Sequence, residues 1–309
     1  MKYAIFSDIH GNIHALRAAL SDAKVQGAQR YIFLGDYVYG FPWGNDVVNT
    51  IRGLEPAMVI RGNGEGYLID LHDKRGDQWV HEQFKPTYWA YNSLSNDNLE
   101  YLLGLPETAG INNDGEAIHI NHALNIFYRQ QKIAPFHSGQ LREIFMEPFS
   151  HDQYLETARN AVMARCDVLE EILDLPKGVY LFGHNHLQFH MEHEGRLFIN
   201  PGSCGKALDC DTTAAYTLLN KESSRWVVIE RRVEYDLDAT AEELRTSGYV
   251  EYAPVWSEVM NAELMTGMDH FLPFVLHLIE TGRRLNQTGY PVSNEVWHAA
   301  TRSLDVSKL

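Results

Sequence analysis

Tyr3-Ala4-Ile5-Phe6-Ser7-Asp8-Ile9-His10-Gly11 opens the chain with an apolar run that stops on a carboxylate and an imidazole two residues apart. A short apolar run ended by polar residues reads as a buried strand over residues 2–7. Asn12 can cap a helix, and Ile13, Leu16, Ala19 and Leu20 follow at helical spacing into about Gln26. Asp8 and His10 therefore sit where a strand runs out into a turn. A hard oxygen donor beside a borderline nitrogen donor suits a divalent transition metal. Alone the pair decides little, because Asp-x-His occurs by chance in many proteins. Four further signals follow, each just past a hydrophobic run: Gly35-Asp36, Gly62-Asn63, His122 and Gly183-His184-Asn185-His186.

Working outward, Gly27 ends the first helix, residues 31–34 read as a second strand, 46–52 as a short helix and 57–60 as a third strand. Strand and helix alternating at this rhythm imply parallel strands joined by crossover helices, an α/β fold. Residues 65–103 read as mostly helical and 117–121 as a fourth strand. Between 123 and 177 the segments 141–145 and 153–173 have helical patterns, and 179–182 is a strand again. Past His186 the short strands 189–192, 196–200, 215–219 and 226–233 suggest an antiparallel sheet. From 239 onward the chain turns helical, most clearly at 255–264 and 270–285.

Composition narrows the class. At 309 residues the chain is long enough for a sizeable core, as one large domain or two small ones. A net charge of −15 repels nucleic-acid backbones and argues against groove binding. The three cysteines, Cys166, Cys204 and Cys210, show no paired spacing and suit reduced thiols. No targeting pattern or membrane-length apolar window is present. The expectation is a cytoplasmic protein.

In an open α/β sheet, ligands bind beyond the carboxyl ends of the strands. Gathered there, the five signals supply Asp8, His10, Asp36, Asn63, His122, His184 and His186. That set is too large for one structural zinc, which takes four ligands. It suits two metals about 3.5–4 Å apart with a shared carboxylate.

Taken in order, Asp8-x-His10, Gly35-Asp36, Gly62-Asn63-x-Glu65, His122 and Gly183-His184-x-His186 resemble the five signature blocks of the calcineurin-like metallophosphoesterases. The resemblance runs from residue 2 to about 233 and takes in Asn200-Pro201-Gly202-Ser203. It implies a four-layer αββα sandwich, two mixed sheets flanked by helices. A domain over 1–235 would carry helical insertions at about 65–105 and 123–177, with a helical C-terminal extension, 236–309, packed on it. It further implies that Asp8, His10 and His186 hold one metal, that Asn63, His122 and His184 hold the other, and that Asp36 bridges them. Mn or Fe are the expected ions, with Zn an alternative. A metal-activated hydroxide would attack phosphorus in line, with His10 and Asn63 stabilising the developing charge. Glu65 is either a support for a ligand or simply an acid in the first turn of a helix.

The run Glu230-Arg231-Arg232-Val233-Glu234-Tyr235-Asp236, with the aromatic-rich helices after it, is similar to bacterial diadenosine tetraphosphatases of the asymmetrical type. That likeness implies a nucleotide substrate such as diadenosine tetraphosphate, cleaved to ATP and AMP. One position departs from the family pattern: many members carry a histidine after the asparagine, where this chain has Gly64. Losing a proton donor hurts poor leaving groups most, which favours anhydrides or activated diesters. The alternatives are a broad-specificity phosphodiesterase, a serine/threonine protein phosphatase, or a catalytically weak metal-binding scaffold.

Other features have plainer readings. His14 suits a helix surface better than a His-x-x-x-His metal pair, and His119 a packed position. His190 and His193 fit solvated hairpin positions. The aromatics of 249–274 suit helix packing more than a base-stacking platform. The 123–177 insertion is expected to wall or cover the site, and homodimer formation is left open.

Overall fold

β1 (Lys2–Phe6) is buried on both faces, and its alternation divides the molecule into layers. Tyr3 and Ile5 point into one apolar cluster, with Ile118, Ile120, Val179, Leu181 and Ile199 from a second sheet. Ala4 and Phe6 point the other way, onto helix α1 (Ile13–Val25) and helix α2 (Gly44–Arg52). Successive strand residues face opposite sides, so a continuous apolar run requires cover on both. The computed structural model describes residues 1–74, 79–113, 115–128, 151–223, 225–302, 304 and 306.

β2 (Arg30–Phe33) and β3 (Ala57–Val59) run parallel to β1, and β9 (Ala214–Glu222) and β10 (Arg225–Val233) complete a sheet of order β10-β9-β1-β2-β3. The second sheet has the order β4-β5-β6-β8-β7, built from β4 (Thr108–Asn113), β5 (Glu116–Asn121), β6 (Gly178–Leu181), β7 (Gln188–His193) and β8 (Arg196–Pro201). β5, β6 and β8 are parallel; β4 and β7 are antiparallel edges. Helices His151–Met163 and Cys166–Leu173 cover its outer face, around Tyr180, Phe182, Phe189 and Phe198. The result is the expected α/β arrangement of two mixed five-stranded sheets between helical layers.

Three readings need correction. The four strands after His186 do not make one antiparallel sheet: β7 and β8 join the second sheet, and β9 and β10 join the first. Alternation reports a strand but not its partner. β8 is buried along its whole length, so it takes an interior place between β6 and β7. β4 was missed, because an edge strand of sequence TAGINN with alternating exposure carries little apolar signal. The 153–173 helix is two helices, broken where Arg165 turns extended and caps the second. The 141–145 segment lies outside the described residues.

The C-terminal helices Leu237–Thr246, Gly248–Tyr252, Pro254–Thr266, Phe271–Arg284 and Asn294–Thr301 share a core built on Tyr249, Trp256, Phe274 and Trp297. Phe41 belongs to the same cluster, and Trp43 and Trp89 pack against it. Trp256 Nε1 donates to the Glu82 carbonyl at 3.2 Å, and Val292 N–H to Gln83 Oε1 at 2.9 Å. No helix of the described residues is long and apolar enough to cross a membrane.

Candidate metal centre

The loops after β1, β2, β3, β5 and β6 meet at one end of the two sheets. Backbone bonds lace the first two together: Asp8 N–H donates to the Gly35 carbonyl at 3.1 Å, His10 N–H to Asp36 at 2.9 Å and Gly11 N–H to Tyr37 at 2.8 Å. Gly183 N–H donates to the His122 carbonyl at 2.8 Å, and His184 N–H to Asp8 Oδ2 at 3.0 Å, which ties the second sheet's loops to the first's.

Five of the seven predicted side chains sit on left-handed backbone: Asp8 (φ 53°), His10 (φ 50°), Asp36 (φ 58°), His184 (φ 74°) and His186 (φ 61°). Non-glycine residues adopt this conformation at a cost of about 1–3 kcal/mol each and hold it only when the surroundings over-determine it. Here the interloop hydrogen bonds do so. Asn63 begins helix α3 (Asn63–Asp73), and Gly62 before it lets the chain pass Asp36 closely. A Cβ on Gly62 would lie 2.2 Å from Asp36 Oδ1.

Two groups of ligand-type atoms result, each with its atoms within 4.8 Å of one another: Asp8, His10 and His186, and Asp36, His122 and His184. Asn63 Oδ1 joins the second, 2.7 Å from His184 Nδ1 and 3.0 Å from His122 Nε2. Asp36 Oδ2 faces both, 3.8 Å from His10 Nε2 and 3.5 Å from His122 Nε2.

The imidazoles are aimed by backbone carbonyls. His10 Nδ1 donates to Tyr39 at 2.5 Å, His122 Nδ1 to Leu34 at 2.8 Å and His186 Nδ1 to Lys206 at 2.6 Å. A carbonyl only accepts, so each Nδ1 carries a proton and each Nε2 faces the centre, where it offers a lone pair whenever that nitrogen is deprotonated. His10 and His186 therefore point two lone pairs at each other across 3.1 Å. Burial, the largest influence on both rings, pushes His10 down to about 4 and His186 well below its ordinary range, so neither supplies a proton to share near neutral pH. Asp8 Oδ1 is buried without a hydrogen-bond partner among the described residues, 3.6 Å from His186 Nε2. Donors bonded at about 2.0–2.2 Å to one ion stand roughly 3–3.5 Å apart, so these three atoms fit a cation better than they fit one another.

The charges agree. Burial, with Asp36 adding to it, raises the Asp8 carboxyl to about 6. Burial alone would raise Asp36 too, but His122 and His10 hold it far below the usual carboxylate range. Burial would lower His122, yet Asp36 lifts it to about 10. Two buried carboxylates thus draw positive charge from whatever is nearest.

Glu65 directs its hydrogen bonds to backbone rather than to the ligand-type side chains. Its carboxylate accepts from the N–H groups of Asp36 (2.9 Å), Tyr37 (2.8 Å) and Gly62 (2.8 Å), clamping the second loop to the third. Burial, then Asp36, pushes Glu65 up to about 7 against those three donors. Sequence reasoning includes Ser203 in the resemblance but misses its role: its Oγ donates to the Asp8 carbonyl at 2.7 Å and accepts from Lys206 N–H at 2.8 Å. It also missed the carbonyls of Tyr39, Leu34 and Lys206, which carry no side-chain signature.

Several histidines fall elsewhere. His14 Nε2 lies 3.0 Å from Glu243 Oε2 and stays out of the centre. His119 stacks on Tyr180, with ring centroids 4.6 Å apart. His190 is not simply solvated: Nδ1 lies 2.6 Å from Glu230 Oε1. Two surface clefts of about 870 and 710 Å3, one beside β7 and β10 and one beside Trp79 and Tyr91, contain none of the seven residues.

Close packing makes a sharp test. A Cβ on Gly183 would fall 1.9 Å from Ser7 Oγ and 2.7 Å from Asp8 Oδ2. Gly183→Ala is expected to lower stability by about 1–3 kcal/mol and to weaken metal binding at least about tenfold. Thermal unfolding and metal titration measure the two effects.

Residues 1–223 match the family model of the calcineurin-like phosphoesterase superfamily domain, and the chain belongs to that superfamily. It is a metal-dependent phosphoesterase. A Methanocaldococcus jannaschii protein described as uncharacterized is 26% identical over 260 residues, covering 78% of this chain and 90% of its own. A metallophosphoesterase structure from Sphaerobacter thermophilus aligns at a TM-score of 0.60 with 24% identity, covering 87% of this chain and 100% of that one. A hypothetical protein from Pyrococcus horikoshii aligns at 0.58 with 17% identity, covering 87% and 99%. These structures share the fold, and none of the three descriptions names a substrate.

Proposed function

We propose that the chain hydrolyses a small phosphorylated compound with a good leaving group at a dinuclear centre, and that a dinucleoside polyphosphate such as diadenosine tetraphosphate is the best-fitting substrate. The observation that carries the dinuclear reading is Asp36 Oδ2, one carboxylate oxygen turned toward both ligand groups at 3.5 and 3.8 Å. Asp8, His10 and His186 would hold one ion, and Asn63, His122 and His184 the other, with Asp36 shared; Mn or Fe suit this donor set. When bound, such ions lower the pKa of water and neutralise phosphoryl charge.

The chain's own residues orient and restrain. Tyr39, Leu34 and Lys206 fix three imidazoles through their carbonyls, and Glu65 fixes the loop that carries Asp36. His10 and Asn63, one in each group, would stabilise charge that develops during transfer. Gly64 supports an activated leaving group. Its N–H donates to Asp36 Oδ1 at 2.7 Å, and a Cβ there would lie 3.1 Å from the same oxygen. No side chain at that position can protonate a departing alkoxide, and a nucleotide phosphate leaves without such help.

We also read 1–235 as the catalytic domain, 236–309 as an extension packed on it, and the enzyme as cytoplasmic. The shared core around Phe41 and Trp256 supports the packing, and the three thiols, none in a disulfide, suit a reducing compartment. The test is a metal-supplemented screen of diadenosine tetraphosphate, a bis-aryl diester and a phosphopeptide, with product identification. ATP plus AMP should appear, chelation should abolish turnover, and added Mn²⁺ or Fe²⁺ should restore it. Phosphopeptide turnover well above nucleotide turnover would overturn the substrate assignment.

A further inference from the structure

Of the aromatic residues of 249–274, Tyr249, Trp256 and Phe274 are at most 3% exposed, and Tyr252 and Phe271 are partly buried against the same core. The open rings lie elsewhere. Tyr67 is 45% exposed and stands one helical turn after Asn63 on α3. Residues at i, i+3 and i+4 share a helix face, so Asn63, Gly66 and Tyr67 lie along one side. Gly66 has nothing within 4 Å of where a Cβ would be, which leaves that part of the face open.

Tyr67 is also tied to the other group. Its ring meets Tyr39 edge-on with centroids 6.0 Å apart, and Tyr39 supplies the carbonyl that aims His10. The Tyr39 and His10 rings are themselves 6.5 Å apart.

We infer that Tyr67 is the stacking platform for a planar, nucleobase-like part of the substrate, held beside Asn63. This rests on the nucleotide reading above. A π-face is indifferent to base identity, so the platform selects for a base without choosing among bases. Asn63 and Tyr67 lie one turn apart, about 6 Å along the helix axis, a spacing suited to a phosphate at the centre with its attached nucleoside folded back over α3.

The test compares diadenosine tetraphosphate with tripolyphosphate, both anhydrides and only one carrying bases, in the full chain with metal. Tyr67→Leu should lower the nucleotide-to-tripolyphosphate ratio of kcat/KM by about tenfold, mainly through the nucleotide KM. Tyr67→Phe should restore it. AMP binding, followed by equilibrium dialysis on the metal-loaded protein, should weaken by a similar factor in Tyr67→Leu and recover in Tyr67→Phe, with inorganic phosphate as the reference ligand. An unchanged ratio with unchanged AMP affinity overturns the platform while leaving the nucleotide reading in place. A wild-type enzyme that cleaves tripolyphosphate or simple esters but neither cleaves nor binds nucleotides overturns both.

Discussion

Asp36→Ala is expected to abolish metal binding at both positions and to lower kcat/KM by at least about a thousandfold. The carboxylate is 2% exposed and is the group that faces His10 and His122 together. Removing it takes a donor from each ligand group and frees the repulsion between their remaining charges. A single preorganised electrostatic group is worth about 10²–10³ in rate, and in the proposed dinuclear centre two cation positions would depend on one side chain. Asp8→Ala is the informative contrast, because Asp36, Asn63, His122 and His184 remain and should keep one equivalent of metal. Dialysis followed by elemental analysis gives the stoichiometry. If Asp36→Ala retained two equivalents, or full turnover, the shared role would be wrong.

Glu65→Gln should be nearly as damaging although it changes no ligand. Glu65 Oε2 accepts from Asp36 and Gly62, and Oε1 accepts from Tyr37. A carboxamide has one oxygen and one NH₂, so either orientation sets a donor against a backbone N–H inside a fully buried pocket. Leaving buried donors unmatched costs about 1–3 kcal/mol each, and a loss near 3 kcal/mol is expected. The displaced loop carries Asp36, so metal affinity should fall about 10–100-fold, as for other groups that orient ligands. Chemical denaturation of metal-free and metal-loaded protein separates the two consequences. Full stability with weakened metal binding would show that Glu65 acts on the centre without supporting the fold.

The difference in legibility between these two residues has a physical cause. Asp36 follows a glycine after an apolar run, and such a break at a strand end is visible in sequence. Glu65 has the same composition signal as any acid at a helix start, and only the folded chain shows three N–H groups converging on it. The strands buried on both faces, β1, β2 and β6, announce themselves as apolar runs. β4 does not, because half of its residues face solvent. Sheet membership after His186 was hidden for another reason: pairing is decided by which neighbour completes burial, as β8 shows between β6 and β7. The carbonyl acceptors of Tyr39, Leu34 and Lys206 were invisible because every residue has a carbonyl.

Asp8, His10, Asp36 and Asn63 descend from β1, β2 and β3, while His122, His184 and His186 descend from β5 and β6, so each ligand group draws on both layers of the sandwich. An ion in either group would therefore be a rivet between the two sheets, added to the hydrogen bonds that already link their loops at that end. Each rivet closes a chain loop of more than a hundred residues, as from His10 to His186, and acts as a reversible crosslink whose strength follows metal supply. Metal starvation would then loosen the seam between the layers before it melted either sheet, and hydrogen exchange should show protection lost first along that seam.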